Sequence, residues 1–219
     1  MSYSPVAIVW PCSLSVEMYL AAGRSVAVAR VSCRSCRVPL GFWSGYWRSV
    51  RSGGRYWRMW VARGRCSLCK VSHALIPSFL LVGRHDVVDT IGSVLEAVAG
   101  GSGVRPAAGR VDVPYSTARS WVRRFRERSG LVWSGFVAVS VELGGVVPPR
   151  VPVEPVPAAF AAIGWAYRAA RARHGVLSPP LWSFVSLVCG WALIGTNTTM
   201  LWQVFGGRRF IPPVPFTGP

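Results

Sequence analysis

An α+β architecture follows from three features of the sequence. Two Cys-x-x-Cys pairs bracket an alternating aromatic stretch, apolar residues recur behind them at helical spacing, and the carboxy-terminal part is rich in alanine and apolar residues. The expectation is a small zinc ribbon built on a β-hairpin, then a helix-turn-helix unit of three helices, then a mostly helical carboxy-terminal region. The divisions fall at residues 1–31 (lead-in), 32–82 (ribbon), 83–130 (helix-turn-helix), 131–157 (linker) and 158–219 (helical region with a proline-rich tail).

The formal net charge is +17 with only eight acidic residues, and Lys70 is the single lysine, so most of the arginines lack an internal partner. Such a surplus implies a polyanion, nucleic acid first and an anionic membrane second. A GC-rich genome inflates Arg, Gly, Ala, Val and Pro together, but it does not decide where the arginines lie. Residues 2–10 are apolar, yet no basic segment precedes them, and Pro11 and Glu17 follow closely, unlike a secretory signal. Four of the six cysteines form Cys-x-x-Cys pairs, which points to metal rather than disulfides and to a cytoplasmic, nucleoid-associated chain.

In the lead-in, residues 15–22 suit a helix and residues 25–32 a strand. Within the ribbon, residues 43–51 and 55–63 suit strands, with Ser52-Gly53-Gly54 as the turn. Cys33-Arg-Ser-Cys36 and Cys66-Ser-Leu-Cys69 stand 29 residues apart. Zinc takes four soft ligands in a tetrahedron, and each pair presents two thiolates on one side, so a hairpin that brings the pairs together closes the site. With all four positions filled by protein, the zinc is structural. Arg34, Arg37, Arg65 and Lys70 flank the ligands and offset the net −2 charge. His73, four residues past Cys69, competes as a ligand but suits a packing role better. Cys12 and Cys189 lack partners at ligand spacing and suit buried positions.

Residues 86–100 carry Val87, Ile91, Val94, Leu95 and Val98 at helical spacing and end in Gly100-Gly101. Residues 104–111 form a short second helix whose Ala107 and Ala108 allow close approach, although Pro106 is a poor helical residue. Asp112-Val113-Pro114 makes the turn. The third helix, residues 115–128, has a buried stripe of Ala118, Trp121, Val122 and Phe125. Its polar side supplies the candidate DNA contacts: Tyr115, Ser116, Thr117, Arg119, Ser120, Arg123, Arg124, Arg126 and Arg128. Arg119, with Ser116 or Ser120, is placed to meet base edges, and Arg126 and Arg128 to meet phosphates.

The run "CRSC", "FWSGYWR", "CSLCKVSHALIPSFLL", "VPYSTARSWVRRFR" and, late in the chain, "LIGTNT" resembles the DNA-binding front end of insertion-sequence transposases. It is most similar to a bacterial family of zinc-ribbon plus helix-turn-helix proteins with no established activity. The resemblance covers residues 33–128 firmly and implies double-stranded DNA as partner, with a transposase or recombinase as the protein partner.

Strand transfer by a transposase needs carboxylates that hold two metal ions. The carboxylates here are Glu17, Asp86, Asp89, Glu96, Asp112, Glu127, Glu142 and Glu154, with none later in the chain. First-turn placement or surface pairing accounts for most of them, so the chain is expected not to be an enzyme. Residues 181–202 are uncharged, but Thr196, Asn197, Thr198 and Thr199 interrupt them. A buried helix packing on residues 158–173 therefore suits the segment better than a membrane span. Three other readings stay open: an RNA or single-strand binder, whose aromatic hairpin with Arg48, Arg51, Arg55 and Arg58 stacks on bases; a membrane-attached basic protein; and a degenerate transposase fragment.

Overall fold

Aromatic and aliphatic alternation builds the hairpin. Strand β2 (Leu40–Ser52) pairs antiparallel with β3 (Arg55–Cys66), and Ser52 lies opposite Arg55. The turn is therefore Gly53-Gly54 alone, with φ of 55° and 71°. Two consecutive left-handed residues give the type I′ turn, whose twist matches that of the strands. Both strands extend beyond the aromatic core of the pattern, so that β3 ends on Cys66 itself. The computed structural model describes residues 7–146, 152–175, 179–190 and 192–195.

Two strands that the sequence did not announce complete the sheet. In the order β1-β4-β3-β2, strand β4 (Ser72–Pro77) runs antiparallel to β3, and β1 (Ala7–Trp10) runs parallel to β4. The strand expected over residues 25–32 is absent: Gly23–Ser25 is a short 3-10 turn, and Ser32 makes only an isolated bridge to Pro39. Helix α1 (Val16–Ala22) forms where expected, with the Ser15 side chain accepting from the Met18 N–H. It buries Tyr19 edge-on against Phe79, and the Tyr19 hydroxyl donates to the Trp60 carbonyl. Trp10, Val50, Met59, Val61, Ile76 and Leu80 fill the same core.

Helices α2 (Val88–Ala99), α3 (Val104–Arg110) and α4 (Tyr115–Glu142) follow. Pro106 sits in the first turn of α3, where a missing N–H sacrifices no helical hydrogen bond. Residues 111–114 turn the chain, and Ala107 and Ala108 lie buried in one core with Ile91, Trp121 and Phe125. Trp121 is only 3% exposed. Trp121→Ala should cost about 3–5 kcal/mol in a denaturant titration, and a loss below ~1 kcal/mol would mean the ring is not an anchor.

α4 corrects the expected boundary at residue 130. It continues to Glu142 because Val132, Phe136 and Val139 prolong its buried stripe. Helix α5 (Pro155–His174) lies along it in the same direction: Phe160 packs on Phe125, and Arg173 donates to the Glu142 carbonyl. The Gly/Pro stretch thus connects two helices of one core rather than two separate units. Helix α6 (Leu181–Cys189) packs on α2 as well as α5. Trp182 lies so close over Gly92 that a Cβ there would come within 2.0 Å of the indole, and its Nε1 donates to Glu96. Among the described residues no helix is long and apolar enough to cross a membrane. The second half of the "LIGTNT" run, the polar interruption after residue 195 and the proline-rich tail lie outside the described residues.

Sheet and helices are stitched together at the hairpin. Arg51 N–H donates to His85 O, Val87 N–H donates to Arg51 O, and the buried Arg51 guanidinium pairs with Asp86 at 2.6 Å. At the tip, a Cβ on Gly54 would lie 2.2 Å from the Asp112 carboxylate, so the hairpin abuts the turn that precedes α4. From the carboxy-terminal side, Ser186 Oγ donates to Leu80 O.

Candidate metal centre and nucleic-acid interface

The four thiols converge because two equivalent turns face one another. Cys33 N–H donates to Val38 O and Arg37 N–H to Cys33 O; in the second turn Cys66 N–H donates to Val71 O and Lys70 N–H to Cys66 O. Arg37 and Lys70 both adopt positive φ, 68° and 61°. Both turns carry the order Cys-x-x-Cys-basic-Val, a correspondence of six residues that is too short to register as a sequence repeat. Leu40 opposite Cys66 in the hairpin register then sets one turn beside the other.

The ligand sulfurs of Cys33, Cys36, Cys66 and Cys69 all lie within 4.8 Å of one another, and Cys33 and Cys69 Sγ are 3.7 Å apart. Thiolates about 2.3 Å from a tetrahedral centre stand about 3.8 Å apart, so the cluster fits a single small cation. Its electrostatics favour one as well. A hydrogen bond with Cys69, then burial and the neighbouring thiols, push Cys36 up to about 12. Burial also works to raise Cys66, but the backbone N–H groups of Cys69 and Leu68 and the thiols of Cys69 and Cys33 outweigh it and bring Cys66 to about 7. Ionising all four together calls for positive charge at their centre. This group of four can hold a metal ion.

His73 stands outside the four. It is buried, with Nε2 at 3.8 Å from Cys33 Sγ, which places it beside a ligand rather than among the ligands. Burial, and then the Arg34 charge, lower its pKa below the usual histidine value. Arg65 spans the second turn to the Lys70 carbonyl while its guanidinium covers the Trp43 ring at 4.4 Å. Cys12 and Cys189 are buried away from this centre, as expected.

On α4, Tyr115, Ser116, Arg119, Arg123 and Arg126 are exposed, while Thr117, Ser120 and Arg124 are half-buried. Arg119, Arg123 and Arg126 form a stripe at intervals of four and three residues, opposite the buried Ala118, Trp121, Val122 and Phe125. Arg123 also pairs with Glu127 at 2.9 Å, an exposed pair of little energetic weight. Arg105 of α3 lies over the Tyr115 ring. Arg128 corrects the expectation. It is 4% exposed and donates to the Ala192 carbonyl, because helical phase puts it in line with Trp121, Phe125 and Val132. It fastens α4 to the chain after α6 and is not part of the exposed stripe.

Phe42 and Trp43 of the aromatic hairpin, which the leading duplex expectation left without a role, are 76% and 56% exposed. A signal was present: between Glu17 and Asp86 the chain has twelve basic residues and no carboxylate. Comparison of the chain with family models, with curated proteins and with solved structures finds no match.

Proposed function

We propose that this chain is a zinc-stabilised protein that binds double-stranded DNA and meets its bases with the amino-terminal half of α4. One observation carries the reading. The apolar side of that half packs on α2 and α3, while Ser116, Arg119, Arg123 and Arg126 stand exposed on the other side, behind a four-residue turn. An exposed helix start with arginines at this spacing suits the major groove, where arginine forks match guanine edges and phosphates. Zinc is the metal proposed for the four thiolates: a closed all-cysteine set leaves no position for substrate, so its part is structural. In this reading the protein binds and does not catalyse. Asp86, Glu96 and Glu127 are engaged by Arg51, Trp182 and Arg123. The resemblance of residues 33–128 to transposase front ends supports, in this reading, an accessory or regulatory role beside a transposase or recombinase on the nucleoid.

The test is selection of binding sites from a random duplex library, followed by salt titrations of variants on the enriched site and on a scrambled one. Arg119→Ala should cost about 1–3 kcal/mol on the enriched site and relax the preference at one base pair. Arg126→Ala should weaken both duplexes alike and reduce the salt slope by about one. Equal losses on every sequence for both variants would reduce α4 to an electrostatic grip, and an unenriched library would remove the duplex-reading assignment.

A further inference from the structure

The hairpin has an outer face that the helix reading does not use. Register puts Trp47 opposite Trp60, Ser49 opposite Arg58 and Arg51 opposite Tyr56, so these side chains share one face, although Arg51 turns in to Asp86 and is buried. The alternate residues Val50, Met59 and Val61 are buried on the other. Tyr56 is 67% exposed, and Phe42 and Trp43 continue the aromatic surface toward the cysteine turns. Exposed rings in this number have a cost in water and serve no core. On this face Arg24 lies over the half-buried Trp60 at 4.8 Å and Arg51 over Tyr56 at 5.6 Å, while Trp57, with Arg55 over it, stands on the opposite face. With no carboxylate between Glu17 and Asp86, the surface is complementary to a polyanion.

A duplex hides the faces of its bases and offers such rings nothing to stack on, whereas unpaired bases stack on aromatic and guanidinium planes whatever their sequence. Position adds the second half of the argument. The hairpin tip abuts Asp112, three residues before Tyr115 opens α4. We infer that the outer face of the hairpin holds an unpaired nucleic-acid strand next to the duplex gripped by α4, so that the preferred ligand is a junction between duplex and single strand. The junction part rests on the duplex reading of α4; the single-strand part stands on the hairpin alone.

The experiment compares three labelled ligands by fluorescence anisotropy with the full-length, zinc-loaded chain: a blunt duplex, the same duplex with a single-stranded overhang, and the overhang strand alone. The overhang should tighten binding about tenfold or more. Phe42→Ala combined with Tyr56→Ala should remove that gain and leave blunt-duplex affinity unchanged. Both side chains are exposed, and zinc content together with the near-ultraviolet dichroism checks that the variant is folded. An overhang that adds nothing overturns the inference and leaves α4 as a duplex reader. Strand binding that depends on Phe42 and Tyr56, with no binding of the blunt duplex, supports the hairpin site and overturns the reading of α4. Binding to vesicles of anionic phospholipid but to none of the three nucleic acids overturns both and assigns the aromatic face to a membrane surface.

Discussion

Cys33→Ser or Cys66→Ser should release the metal and unfold the ribbon end of the sheet. The two cysteine turns have no core of their own; the buried cluster of the sheet lies around Val50, Met59 and Leu80 instead. Structural zinc binds with about 10–16 kcal/mol at pH 7, a magnitude on the scale of a whole domain's stability. Losing one thiolate of four therefore outweighs what the local hydrogen bonds return. Elemental analysis should give one zinc per chain for the parent and none for the variants. The variants should lose protease resistance in residues 33–71 while keeping their helical dichroism, because α2 to α6 share a separate core. Acid should mimic the substitution. Metal binding needs the thiolates: the metal must displace the proton that Cys36 already holds at neutral pH, and Cys66, at about 7, takes one up as pH falls, so zinc affinity and ribbon stability decline together toward low pH. A metal-free chain that stays fully folded would end the zinc reading.

Asp86→Ala should be as damaging as Trp121→Ala, although it removes no large side chain. Asp86 and Arg51 are both buried, and their 2.6 Å contact is the Arg51 side chain's charge partner. Removing one member of such a pair leaves the other charge uncompensated, at about 3–5 kcal/mol, whereas replacing both by apolar groups of similar volume is often near neutral. Chemical denaturation of Asp86→Ala, Arg51→Met and the double variant separates these effects. A single-variant loss below ~1 kcal/mol would show that water or another group already serves Arg51. The same pair ties β2 to the start of α2, so its loss should also loosen the contact of Gly54 with Asp112. Amide exchange at residues 53–56 should then quicken.

What could be read in advance followed local chemistry. Gly53-Gly54 between alternating strands marks a hairpin without help from the rest of the chain, and the apolar period of α2 and the proline turn before α4 are equally local. The cysteine spacing named all four members of the cluster. β1 was out of reach because its parallel partner lies 67 residues away, at Ala7 opposite Ala74, and nothing in four apolar residues announces that pairing. The end of α4 was misjudged because Gly130 and the change from arginine to valine look like a boundary, while Val132, Phe136 and Val139 hold the helical phase across it. Arg128 was misplaced for the opposite reason. Its phase relative to Trp121 and Phe125 was legible, but its place at the carboxy-terminal end of the expected recognition helix, beside Arg124 and Arg126, assigned it to phosphates. The duplex-binding reading of the exposed stripe is an inference from helix geometry, and the measurements above decide it.

The single uninterrupted helix α4 is one rod held along its whole length, by α2 and α3 over its amino-terminal half and by α5 and α6 beyond. Its 28 residues span about 42 Å. Phe136, Val139 and Arg128 are gripped by α5, α6 and the chain after α6, while Ser116 and Arg119 project from the other end. A straight helix does not absorb bending locally, so both halves of α4 move as one. The carboxy-terminal helices, remote from the arginine stripe in sequence, therefore fix its aim together with α2 and α3.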